Sequence, residues 1–260
     1  MNKLFIICGH GDGDPGACGN GYKEAERVRA LAKRIKYYGG AAVVIGDTSK
    51  NWYKDKLVNN KNIPNGYLVL ELHMDCAVKT AKGAHVVIDA DLSPDKYDKA
   101  LAKFISNVFP GRSKTIVKRN NLANLNRAEV AGINYRLLEC GFISNTGDIK
   151  IFNSRMDYIA KGILKSFGIE PKKKEFQPYK VKITCKTLNV RKNAGTKNKL
   201  VGVITSNENL IKKNPNYYFE KTTYTIVEEK KIGKNRWGKL KSSTAKNPRW
   251  IHLGYTKKVK

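Results

Sequence analysis

The chain has 260 residues, room for two domains of ordinary size, each with its own core. Hydrophobic residues make up 41% of it, and no apolar run approaches the roughly 20 residues that span a bilayer, which excludes a membrane-spanning helix. The formal net charge is +28 and unevenly placed: from Glu170 to Lys260 there are 24 Lys/Arg against 6 Asp/Glu, so the smaller C-terminal part is the one an extended polyanion would attract.

Charge alone does not choose among nucleic acid, anionic lipid and an anionic wall polymer. No helix-turn-helix, zinc-finger or aromatic RNA-binding signature is present, so no specific nucleic-acid partner is expected. Five cysteines (Cys8, Cys18, Cys76, Cys140, Cys185) are odd in number, scattered and without a C-x-x-C pair, which argues against a disulfide framework and against a structural Cys-type zinc site. The opening run Leu4-Phe5-Ile6-Ile7-Cys8 is short and leads into Gly9-His10-Gly11-Asp12 rather than a small-residue cleavage site. It reads as a first strand, with the protein expected in a cytoplasm without an export signal of its own.

In chain order, residues 3–8 and 41–46 are β-branched apolar runs. Between them Tyr22–Tyr38 sets Val28, Leu31, Ala32 and Ile35 at helical spacing. Further strands are expected at Tyr67–His73, Gly83–Asp89 and Asn134–Cys140, and helices at about Pro94–Phe109 and Arg155–Phe167. Strands alternating with helices imply an α/β fold, a mostly parallel twisted sheet flanked by helices, with chemistry at the carboxyl ends of the strands. This domain spans 1–169. A Pro-bounded charged linker, 170–178, follows.

From 179 to 260 the texture changes to short strands, at Lys180–Cys185, Leu188–Arg191, Leu200–Ile204, Tyr224–Glu229, Trp237–Lys241 and Trp250–Leu253, separated by Gly, Asn and Pro. That spacing predicts a second, small all-β barrel. The tail Lys257–Lys260 is expected to fray.

Three strand ends of the first domain carry imidazoles or acids: His10 after the first strand, His73 closing YLVLELH and Glu139 in NYRLLEC, while Glu24 opens the first helix. In a parallel sheet these converge on one edge. Two imidazoles and a carboxylate are a full protein ligand set for a catalytic zinc with one open position, leaving Glu139 free as a proton acceptor. Glycines around His10 suit a backbone that turns sharply beside a ligand. By spacing alone the same residues also read as solvated strand-end side chains.

Gly9-His10-Gly11-Asp12-Gly13-Asp14-Pro15-Gly16-Ala17, Glu24, Glu71-Leu72-His73-Met74-Asp75 and Leu138-Glu139-Cys140-Gly141-Phe142-Ile143-Ser144-Asn145 resemble, in order and spacing, the motifs of the zinc-dependent N-acetylmuramoyl-L-alanine amidases, over about residues 3–169. The resemblance implies that His10, Glu24 and His73 hold Zn2+, that Glu139 is the catalytic base, and that the muramoyl–L-alanine amide of peptidoglycan is hydrolysed. It departs from the family at Glu71 and Asp75, where the family usually has Ser and Asn. Glu26 competes with Glu24 as the ligand, with Glu24 favoured. His85, on a neighbouring strand, is read as a solvated or satisfied sheet residue that can in principle reach the metal.

Leu188-Asn189-Val190-Arg191, Val201-Gly202-Val203-Ile204, Arg236-Trp237-Gly238 and Trp250-Ile251-His252-Leu253-Gly254-Tyr255 resemble a bacterial SH3-type domain over roughly 179–258, which implies a wall-binding module. The segment between Ile204 and Tyr224 departs from a minimal such domain. Trp237 and Trp250 are expected in the core, and His252 to pack beside them. The partners implied are Gram-positive peptidoglycan and anionic wall polymers. A wall-targeted module without an export signal suggests a phage endolysin held in the host cytoplasm until release. The rival readings are a cysteine-dependent wall peptidase and a non-catalytic basic polyanion binder.

Overall fold

The computed structural model describes residues 2–172, 176–205, 207, 209, 212, 217–219 and 223–259. Lys173, Lys174 and Glu175 of the expected linker, and most of the segment between Ile204 and Tyr224, lie outside the described residues. The chain divides into two units, Met1–Lys173 and Lys174–Lys260.

In the first unit β1 (Leu4–Cys8), a small hairpin of β2 (Cys18–Gly19) and β3 (Tyr22–Lys23), α1 (Glu24–Gly39) and β4 (Val43–Ile45) come first. They are followed by β5 (Leu68–Asp75), β6 (His85–Asp89), α2 (Lys96–Val108), β7 (Ile116–Arg119), α3 (Ala123–Val130), β8 (Tyr135–Phe142) and α4 (Thr146–Ser166). The six-stranded sheet has the order β4-β1-β5-β8-β6-β7, with every pair parallel except β6 against β8. The expected α/β architecture is therefore the observed one.

The strands read as unbroken apolar runs because both faces of the sheet are covered. Along β1, Leu4, Ile6 and Cys8 enter the core under α1, α2 and α4, while Phe5 and Ile7 enter a second core with Leu125 and Ala128 of α3 and Trp52, Val58 and Ile63 of the β4–β5 connection. Val28, Leu31, Ala32 and Ile35 of α1 are fully buried. Each buried Val, Leu or Ile side chain contributes about 1.5–3 kcal/mol over its exposed state.

Three expectations need correction. The helix expected from Arg155 begins at Thr146, capped by the Asn145 side chain on the backbone N–H of Gly147 and Asp148; Arg155 is the non-helical residue of a kink inside it, so the sequence pattern shows only the second half. Strand β7 and helix α3 have no counterpart in the sequence reading, because one is four residues long and the other eight, with no side-chain cap. Glu139 and His73 are not terminal: β8 runs on to Phe142 and β5 to Asp75, with a register shift after the His73–Glu139 pair.

The second unit is the expected all-β body. Its strands are β9 (Tyr179–Ile183), β10 (Thr187–Arg191), β11 (Leu200–Thr205), β12 (Tyr217–Phe219), β13 (Tyr224–Ile232), β14 (Asn235–Leu240), β15 (Trp250–His252) and β16 (Thr256–Lys258), ordered β12-β11-β10-β15-β14-β13-β9-β16. The core is Val181, Leu188, Val190, Ile204, Ile226, Leu240 and Ile251; Trp237 and Trp250 are buried with Ala194, and the His252 ring packs 5.1 Å from that of Trp237. The tail is not frayed where described, since Lys257 and Lys258 pair with Lys182 and Val181 in β16.

Candidate metal centre and cleft

His10 leaves β1 in the left-handed region, at φ 61, a conformation that costs an L-residue free energy and must be held from outside. Arg29 of α1 holds it, donating to the carbonyls of Gly9 at 3.1 Å and His10 at 2.8 Å. Two glycines leave room for the rings. A Cβ on Gly9 would lie 2.4 Å from the His73 ring, and one on Gly16 2.6 Å from His10 and 2.9 Å from Glu24.

Glu24, the first residue of α1 and 3% exposed, joins the two imidazoles. Its Oε2 is 3.1 Å from His10 Nε2 and its Oε1 2.9 Å from His73 Nδ1. Backbone N–H groups of Ala17 and Met74 each donate to one of these oxygens at 3.0 Å. Burial pushes the Glu24 carboxyl up, but the hydrogen bonds from both imidazoles outweigh it and hold the group far below the usual carboxylate range. The same contact raises His10 above its ordinary 6.5; His73 is raised well above it despite its burial, through Glu24 and Glu71.

The outer nitrogen of each ring is also held. His10 Nδ1 lies 3.0 Å from Asp14, which accepts from Asn51 at 3.2 Å; His73 Nε2 lies 3.1 Å from Glu71 Oε1. Glu71 is fixed in turn by both a short contact from the Tyr135 hydroxyl and the Asn124 amide at 3.0 Å. One ligand atom each from His10, Glu24 and His73 therefore lies within 4.8 Å of the others. Two imidazoles, each backed by a carboxylate, and one carboxylate fit a divalent zinc. Glu26 is exposed on the outer side of α1 and is not part of this cluster.

Glu139 stands beside His73 in the β5–β8 register; its Oε2 is enclosed without a hydrogen-bond partner, and burial pushes its carboxyl up to about 7. The two acids foreign to the expected motif have separate duties. Glu71 fixes His73, whereas Asp75 pairs with Arg112. All of these except Arg112 line one cleft of about 650 Å3, whose walls continue over Val87, Leu137 and Leu122 to Arg119.

His10, Glu24, His73 and Glu139, the four residues singled out by the sequence, are gathered around one cleft, whereas Asp14, Asn124, Tyr135, Arg29 and Arg112 join them with no sequence signal of their roles. The thiols offer little. Burial pushes Cys8 up to about 11 and Cys140 well above its ordinary value, and no histidine nitrogen hydrogen-bonds a cysteine sulfur among the described residues.

The model of the N-acetylmuramoyl-L-alanine amidase family matches residues 4–168. The chain belongs to this amidase family. A relative from Staphylococcus aureus, probable autolysin PH, is 34% identical over an alignment of 178 positions that covers 61% of this chain and 37% of the autolysin. This chain thus spans well under half the length of that relative. Among solved structures, the catalytic domain of the amidase CwlV from Bacillus (Paenibacillus) polymyxa covers 65% of this chain and 100% of its own, at 16% identity and a TM-score of 0.53. The catalytic domain of the CD27L endolysin, targeting Clostridia difficile, covers 66% of this chain and 100% of its own, at 21% identity and a TM-score of 0.50. At those identities the likeness is one of fold.

Proposed function

We propose that the chain is a peptidoglycan hydrolase that cleaves the amide between the lactyl group of N-acetylmuramic acid and the L-alanine of the stem peptide. The observation that carries this is Glu24 bridging His10 and His73 in the lining of a cleft where Glu139 is, among the described residues, the one enclosed carboxylate with an unpartnered oxygen. A zinc ion held by His10, Glu24 and His73 would polarise the scissile carbonyl and acidify the attacking water. Glu139 takes the proton of that water and returns it to the leaving amine nitrogen as the C–N bond breaks. Burial pushes this carboxyl up to about 7 in the metal-free protein and a cation beside it would lower it, so it is ionised to accept a proton at neutral pH and basic enough to hold one for the leaving amine. Asp14 and Glu71 keep the two imidazoles oriented with the ligating nitrogen inward.

The basic C-terminal unit, with its short-strand architecture, is read as an SH3-like wall-binding module at 179–260. It would be drawn to Gram-positive peptidoglycan and its anionic polymers by a salt-sensitive attraction. An endolysin or autolysin role follows, the protein waiting in the host bacterial cytoplasm and acting once released to the wall.

The test is mass spectrometry of digested Gram-positive walls. New N-terminal alanine that vanishes with a strong chelator and returns with zinc supports the reading. Activity that survives chelation and is lost on thiol alkylation overturns it in favour of a cysteine peptidase.

A further inference from the structure

The sequence makes His85 a solvated or satisfied sheet residue, and the structure makes it neither. Its side chain is 3% exposed and lines the cleft from the first position of β6, paired across the ladder with Glu139. Nδ1 is enclosed and makes no hydrogen bond; Asp75 Oδ2 stands 4.0 Å away, just out of reach. Asp75 is itself gripped by Arg112, whose guanidinium lies 5.0 Å over the Phe142 ring. Nδ1 is therefore the nitrogen turned towards a fixed carboxylate, and Nε2 is the one left for the cleft. Among the described residues no hydrogen bond reaches either ring nitrogen, so Nε2 of this cleft-lining side chain is free to pair with a bound molecule while Nδ1 keeps only the charge of Asp75 beside it.

We propose that His85 is a substrate-contacting residue of the amidase cleft, accepting at Nε2 a hydrogen bond from an amide N–H of the stem peptide, with Asp75 as its positioning residue; this rests on the amidase reading above. The direction of the bond follows from the neighbours. Burial, together with Arg112 and Arg119, pushes the imidazole down to about 4, so it carries a single proton at neutral pH. The Asp75 carboxylate 4.0 Å from Nδ1 is too far to accept a hydrogen bond, but its charge favours the proton on that nitrogen, which leaves Nε2 an acceptor only. An acceptor facing the cleft beside Glu139 calls for a donor near the scissile bond, and the stem peptide offers an N–H on either side of its alanine.

The test uses the zinc-loaded full chain with a soluble muramoyl peptide and two analogues, each with an ester oxygen in place of one of those N–H groups. His85→Leu should lower kcat/KM about tenfold, the value of one neutral hydrogen bond, with zinc content and circular dichroism unchanged. His85→Gln, which keeps an acceptor oxygen, should recover part of the loss. The wild-type preference for the amide over one of the two esters should shrink in His85→Leu, the mark of a direct contact. Wild-type kcat/KM in His85→Leu overturns the inference, as does an equal loss on all three substrates, which is the result for a bond to a sugar hydroxyl or a purely structural role. If His85→Leu fails to fold or to hold zinc, the same comparison is read on His85→Gln, where an unchanged amide-to-ester ratio with lowered activity overturns it. Should the wild type cleave none of the substrates, the amidase reading falls and takes this inference with it; wild-type turnover with an indifferent His85 sinks the inference alone.

Discussion

Glu71 accepts at 3.1 Å from His73 Nε2, on the side of the ring away from Glu24, and so fixes which nitrogen of His73 faces the cluster. Burial pushes the Glu71 carboxyl up, but hydrogen bonds from His73, Tyr135 and Asn124 hold it below its ordinary value, so it is a carboxylate at neutral pH. Carboxylates in this position raise the basicity of a ligating imidazole, and their loss costs about 10–100-fold in metal affinity. Glu71→Gln should therefore weaken zinc binding by that order while leaving turnover at saturating zinc within a few fold of wild type. Competition with a chromophoric chelator measures the first quantity, and unchanged affinity would mean that Glu71 only fills space.

Zinc must displace protons from this cluster, which sets a pH dependence. Glu24 titrates below its ordinary 4.5, so the stability it gives the metal-free protein is present above about pH 4.5 and lost as pH falls through its lowered value. His10 and His73 titrate above 6.5, so theirs is complete below that pH and lost as pH rises through the raised values. Zinc needs both imidazoles deprotonated, hence its affinity climbs over the range where the proton-held cluster weakens. The rise in Tm on adding zinc should be larger at about pH 8 than at about pH 6, and calorimetric zinc titrations in buffers of different ionisation enthalpy should show proton release. A larger thermal shift at the lower pH would contradict this account.

The four residues brought forward from the sequence were legible because each interrupts an apolar pattern: His10 and His73 follow β-branched runs, Glu24 precedes a helical stripe, and Glu139 falls among buried neighbours. Glu71 was half legible, since two residues from His73 on one strand puts both on one face. Asn124 and Tyr135 were not, because they meet Glu71 across 53 and 64 residues of chain, and α3, which carries Asn124, is too short to show a period. His85 was visible but misjudged. Its placement depends on β6 running antiparallel to β8, which no local pattern encodes.

Glu139→Gln keeps the shape of the side chain and removes its basicity. Turnover should fall by about 100- to 10,000-fold, the usual worth of a general base, with zinc content unchanged. In the wild type the carboxyl must be ionised to act. It lies near 7 in the metal-free protein and a bound cation would draw it lower, so kcat/KM should rise with pH along an acid limb centred below about 7. Full activity in Glu139→Gln on a wall-clearing assay would remove Glu139 from the reaction.

Arg136 tests the scaffold rather than the chemistry. Its side chain, 1% exposed, donates from Nε to Asp98 at 2.8 Å and from Nη2 to Asp95 at 3.1 Å, tying β8 to the start of α2. Burial raises Asp98 even with Arg136 beside it, so the carboxylate depends on that guanidinium for its charge. Arg136→Met fills much of the same volume but leaves the buried Asp98 without its cation, while Asp95 keeps its helix-capping hydrogen bonds, and breaking a buried pair from one side costs about 3–5 kcal/mol. Urea denaturation of the variant should show a loss of that order at neutral pH, shrinking as the pH falls and Asp98 takes up a proton in place of its lost partner. An unchanged midpoint would show that the pair contributes nothing net, with the metal cluster and its cleft indifferent to it.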